Sequence, residues 1–154
     1  MTQEISLPAH AIIAIRETIA TAEMPAFFDR VYTRLGDVLA ASGAHPAGPA
    51  RAYYHTPLTD TVDVSAAFPL PAEQVAAVEA EAPDLVHHLP DVTALTMRHH
   101  GAYDSLGNTW QELVEAATAT GREMGPLCWE EYVTEPSPEA DPADMITDLY
   151  VTLA

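Results

Sequence analysis

The sequence predicts an α+β domain made of two copies of one strand–helix–strand–strand module. Three observations carry that prediction. An apolar helical face recurs: shifted by 78 residues, Phe28, Tyr32, Leu35, Leu39 and Gly43 fall on Leu106, Trp110, Leu113, Ala117 and Gly121. A Gly-Pro pair recurs: shifted by 77 residues, Gly48-Pro49 falls on Gly125-Pro126. The segments around each helix are β-branched, alternating and bounded by turn residues, as strands are. Neither copy alone can cover its sheet face. The two are therefore expected to pack as one pseudo-twofold domain over 1–154, with module one at about 9–70 and module two at about 91–154.

The first strand is expected at Ala9–Thr18, an apolar run rich in isoleucine. Phe28, Tyr32, Leu35 and Leu39 then follow at steps of 4, 3 and 4, one face of a helix. Pro25 suits its first turn and Gly43 its exit. "GPARAYYHTP" and "DTVDVSAAFPL" read as two further strands, with a turn near Leu58–Asp60. The link at about Pro71–His88 is rich in Ala, Glu and Pro and has room for a short helical turn. Asp91–Gly101 alternates like a strand, and Leu106, Trp110, Leu113 and Ala117 repeat the helical steps until Gly121. "GPLCWEEYVTEP" is the next strand, and "MITDLYVTLA" closes the chain. Between them "EPSPEADPADM" reads as an exposed acidic loop.

The chain has 154 residues, enough for one domain with a sizeable core, and its 48% apolar and 19% charged composition is globular. Its basic residues are arginines without lysine, and the formal net charge is −17. Such a field repels phosphate backbones, so direct nucleic-acid binding is not expected, whereas cations are drawn in. Cys128 is the single cysteine, which excludes an intrachain disulfide and a cysteine-rich metal site. The histidines form adjacent pairs, His87-His88 and His99-His100, that point oppositely on strands, and there is no HxH or HExxH pattern. Neither metal nor cofactor is expected. No basic leader or long apolar run appears, so a soluble cytoplasmic protein with no membrane partner is expected.

One motif series resembles a known family. His100-Gly101-Ala102-Tyr103, then Leu106 and Trp110, then Gly125-Pro126, then Glu130-x-Tyr132 and a terminal "TDLYVTL" resemble the GyrI-like family, the AraC-type effector-binding domain, over nearly the whole chain. The resemblance implies an antiparallel sheet with a ligand cleft between the modules. It also implies binding of bulky, often cationic aromatic compounds, with links to multidrug binding, drug resistance and transcriptional regulation. The eight residues before the first strand are too few for a helix-turn-helix, so a stand-alone protein is expected. Thr152 stands where the family usually has proline in the last strand.

Strand alternation sorts the candidate site. Cys128, Glu130 and Tyr132 share one face; Leu127, Trp129 and Glu131 share the other. On the family pattern Glu130 is the pocket acid, and Glu131 reads as a solvated edge residue. The shift of 77 makes Tyr53 and His55 the module equivalents of Glu130 and Tyr132. Trp110 sits on the apolar helix face, and Phe68 lies in the closing strand of module one. The expected ligand-binding set is thus Glu130, Tyr132, Tyr53, His55, Trp110 and Phe68. A carboxylate in an aromatic wall would confer a charge preference with little demand on shape, and aromatic faces would add cation–π attraction.

Three functions fit. The first is a stand-alone binder of hydrophobic aromatic cations or drug-like molecules. The second is a hydrolase of the same fold that opens cyclopropane-bearing alkylating drugs, with Glu130 as general base and Tyr132 or His55 as hydrogen-bond donor. The third is an inhibitor of a protein partner, of gyrase type.

Overall fold

The computed structural model describes residues 2–57, 59–134 and 141–154. Leu58 of the expected turn and 135–140 of the expected acidic loop lie outside the described residues. In chain order the elements are β1 (Thr2–Leu7), β2 (His10–Ala20), α1 (Met24–Ala41), β3 (Arg51–Tyr54), β4 (Thr61–Pro69), α2 (Val75–Glu81), β5 (Val86–Leu89), β6 (Val92–His100), α3 (Leu106–Ala119), β7 (Met124–Tyr132) and β8 (Ile146–Leu153). They fall into two compact units, Ala9–Pro90 and Met1–Pro8 with Asp91–Ala154. The link at 71–88 therefore joins the N-terminal unit as a helix and a strand, and the first residues join the C-terminal unit as a strand.

The N-terminal unit is a sheet in the order β3-β4-β2-β5, antiparallel throughout, with α1 and α2 packed on one face. Pro25 sits in the first turn of α1, where its missing N–H removes no helical bond. Gly43 ends the helix at φ +68°, a conformation without penalty only for glycine. The buried stripe of α1 is Phe27, Val31, Leu35, Val38 and Leu39. The sequence placed Phe28 and Tyr32 on one face with Leu35 and Leu39; they flank the buried stripe, half-buried against the core. That stripe covers Ala11, Ile13, Val62, Val64 and Ala66 of the sheet. Burial of each large side chain contributes roughly 1.5–3 kcal/mol.

The C-terminal unit repeats the plan in the order β1-β6-β8-β7, again antiparallel. From α3, Leu113 and Ala117 pack against Leu95, Leu149, Val151 and Leu153 of the sheet. Gly121 ends α3 at φ +72°. The β7–β8 register shifts between Met124 and Cys128. There the Thr152 hydroxyl accepts from Leu127 N–H at 3.3 Å and donates to Leu127 C=O at 3.2 Å. A Cβ on Gly125 would run into the Thr152 side chain, so this approach needs glycine. Thr152 thus pairs backbone groups at the irregularity in β7.

Candidate functional site: a buried glutamate among aromatic rings

In the C-terminal unit, alternation along β7 turns Cys128, Glu130 and Tyr132 to the face covered by α3, because Cys128 packs against the core beside Trp110 and Val151. Glu130 lies opposite Leu149 on β8 and is 4% exposed. Trp110 Nε1 donates to Glu130 Oε1 at 2.8 Å, and the Tyr132 hydroxyl donates to Oε2 at 2.8 Å. Each carboxylate oxygen therefore holds a neutral donor, and charge-assisted bonds of this kind contribute about 1.5–3 kcal/mol each. The Tyr103 ring meets the Tyr132 ring edge-on, centroids 6.0 Å apart, while Tyr103 stays 39% exposed. Burial, and next the Glu130 charge, push the Tyr103 hydroxyl above its usual range, which keeps it protonated. The result is a buried acid with an aromatic surround that reaches solvent at Tyr103.

Glu131 faces the other way. Its Oε2 accepts the Tyr150 hydroxyl at 2.9 Å, and it is half-buried rather than the solvated edge residue the sequence suggested. Tyr150 stacks on Trp129 with centroids 4.9 Å apart and planes 5° off parallel. Burial and then Glu131 push the Tyr150 hydroxyl far up.

The other three predicted residues lie in the N-terminal unit. Phe68 is on the α1 side of the sheet, its ring 5.3 Å from that of Tyr32, which in turn stacks on Phe28 at 5.8 Å. The Tyr32 hydroxyl donates to Arg51 C=O. Tyr53 lies on the opposite sheet face, because its neighbours Ala52 and Tyr54 pair with Ala66 and Val64 on the α1 side. Tyr53 is 3% exposed and accepts from Arg51 Nη1 at 2.9 Å. His55 holds Ser65 Oγ at 2.8 Å through Nε2. Burial, then Arg16, push its pKa down, against a weaker opposing pull from Asp63.

The expected equivalence of Tyr53 with Glu130 is therefore corrected. A repeat offset one residue away from the structural one reverses the face of every strand residue, and 77 is such an offset here: Tyr54, not Tyr53, shares the helix side with Glu130. Glu130 faces its unit's helix, and Tyr53 faces away from its own. Sequence reasoning passed over Tyr54 and left Tyr103 out of the site. The signal for Tyr54 was the alternation of β3 counted from Ala52; that for Tyr103 was its place three residues before the apolar run of α3.

The N-terminal unit also holds a cavity of about 430 Å³, lined by Leu70, Val75, Leu89, His10 and His88 among others, and none of the six predicted residues borders it. Among the described residues no group of histidines, cysteines and carboxylates is placed to hold a metal ion, and no helix is long and apolar enough to cross a membrane.

Neither a protein-family model nor a curated protein matches the sequence. Solved structures do share the fold. The chain is similar to EcmrR in its complex with DNA (TM-score 0.83, 18% identity), covering 99% of this chain and 57% of that one. It is similar to SAV2435 bound to tetraphenylphosphonium (TM-score 0.73, 13% identity), covering 100% of this chain and 94% of that one. It is also similar to a hydrolase from Listeria innocua (TM-score 0.66, 12% identity), covering 99% and 91%. The chain thus spans little more than half of the EcmrR chain and nearly all of the other two.

Proposed function

We propose that this chain is a GyrI-like effector-binding protein that captures bulky aromatic cations at Glu130, as a cytoplasmic sensor or sequestering protein linked to drug resistance or transcriptional control. The observation that carries this reading is a carboxylate 4% exposed, held by Trp110 and Tyr132, with Tyr103 at the edge of the same aromatic group. A cation about 4 Å from that carboxylate gains roughly 4 kcal/mol at an effective dielectric of 20, before desolvation is subtracted. Each good aromatic face adds on the order of 0.5–2 kcal/mol. The charge term is the larger, so charge selects and the rings tolerate varied shapes. A relative of the same fold holds tetraphenylphosphonium, a cation of this chemistry. The test is calorimetric titration with tetraphenylphosphonium beside neutral triphenylphosphine oxide. Saturable binding of the cation, with quenching of tryptophan fluorescence, is expected; equal affinity for the neutral compound sinks the proposal.

A hydrolytic reading has one observation in its favour. The Tyr132 hydroxyl already donates to Glu130, so a base and a proton donor stand together. In that reading Glu130 takes a proton from water, the hydroxide adds to a strained ring carbon as the ring C–C bond breaks, and Tyr132 gives its proton to the opened ring and regains one from the protonated Glu130. Mass spectrometry of a cyclopropane-bearing alkylator incubated with the protein discriminates: a water adduct formed faster than in buffer supports hydrolysis, and unchanged drug leaves binding alone.

A further inference from the structure

We propose that His99 is the positioning residue of the Glu130 site, holding Tyr103 and Trp110 in place without touching ligand; this rests on the reading of Glu130 above. His99 is the last buried residue of β6, 5% exposed, on the α3 side of the sheet. Its Nε2 lies 2.9 Å from Ala102 C=O and its Nδ1 2.7 Å from Thr109 Oγ1. A carbonyl only accepts, so Nε2 donates to Ala102 C=O, and Nδ1 is hydrogen-bonded to the Thr109 hydroxyl, which can donate or accept. One bond thus fixes the residue before Tyr103, and the other fixes the residue before Trp110.

Among the described residues the turn between them has further ties, including Ser105 N–H to Ala102 C=O at 3.4 Å. Gly101 sits at φ +114° with its N–H on Met145 C=O at 2.9 Å, and Ser105 Oγ donates to Ala102 C=O at 3.0 Å. His99 also lies near Ser105 Oγ, at 3.3 Å. A single imidazole therefore links the strand, the turn that carries Tyr103 and the start of the helix that carries Trp110.

A double-mutant cycle tests this with tetraphenylphosphonium as probe. His99→Leu should weaken binding by about tenfold, the size of one lost buried hydrogen bond. Thr109→Val should weaken it by less, and His99→Gln, which can still donate to Ala102 C=O, should restore part of the loss. In a Tyr103→Ala background the effect of His99→Leu should shrink, leaving only the part carried through Thr109 and Trp110. Equal losses in both backgrounds indicate a general packing role and overturn the proposal. Hydrogen exchange reads the same claim without ligand. Amides of residues 101–105 should exchange about tenfold faster in His99→Leu than in wild type while β8 is unchanged; unchanged exchange in the turn also overturns it. Absence of tetraphenylphosphonium binding to wild type fails the reading of Glu130 instead, and the exchange measurement still decides the role of His99.

Discussion

At the scale of single residues, the Glu130 carboxylate accepts from Trp110 and Tyr132. Trp110→Phe keeps a ring but removes the proton from Oε1, and Tyr132→Phe does the same at Oε2. Each leaves a buried carboxylate oxygen short of a donor, so each should destabilise by about 1–3 kcal/mol in chemical denaturation. Because both act on one carboxylate, their effects should not add. Additive losses would show that the three side chains do not work as a unit. His55 makes a separate prediction. Its folded pKa is depressed by burial and by Arg16, so the unfolded chain binds the proton more tightly. Stability should therefore fall as pH drops below about 6.5, the ordinary histidine value. Asp63, held down by its bonds to Arg16, should lose its contribution only at lower pH, through the carboxylate range. Unfolding midpoints between pH 7 and 5.5 check this: His55→Asn should flatten the decline, and an unchanged slope would remove His55 as its cause. That Glu130 and Tyr132 share a face, and that Trp110 lies on the apolar helix face, could be read within one strand and one helix, whereas the choice of Glu130 over Glu131 rested on the resemblance and not on alternation. The sequence reading misassigned Tyr53 because a face depends on register, and a repeat offset of one residue reverses it.

At the scale of elements, the helices were legible because a 3.6-residue period and its end signals are local. Pro25, Gly43 and Gly121 sit where the chain pattern placed them. Strands β1 and β5 were not legible. "TQEISL" and "VHHL" are short and half-polar, and they become strands only by pairing with β6 and β2. Nothing local encodes such a pairing. The irregular start of β7 was equally hidden, since it depends on Gly125 meeting Thr152. Gly125→Ala should destabilise by about 1–3 kcal/mol through the imposed clash. Thr152→Val should do so by about 1–3 kcal/mol, because the Leu127 amide and carbonyl lose their partner. Thermal unfolding of both variants checks this, and wild-type stability in both would show that the shift in register is tolerant. Changes here should also reach Glu130, five residues along the same strand.

At the scale of the whole molecule, the governing quantity is a net charge of −17. Such a field raises the local concentration of cations and repels polyanions. Association rates for an aromatic cation should therefore fall severalfold as salt rises from 10 mM to 150 mM, while dissociation rates change little. Stopped-flow quenching of tryptophan fluorescence reads both, and a salt-independent association rate would confine the electrostatics to the buried acid. Duplication of the module was visible in the sequence because the two helical faces repeat at one spacing, and the structure repeats the plan in two antiparallel units.

The most direct test is titration of Glu130→Gln with tetraphenylphosphonium and with neutral triphenylphosphine oxide, side by side with wild type. The amide keeps the size of the carboxylate and deletes its charge. The cation should bind at least about thirtyfold more weakly, a loss of ~2 kcal/mol, while the neutral compound changes by less than about threefold. Equal cation affinity in variant and wild type would contradict a charge-selecting glutamate at this site.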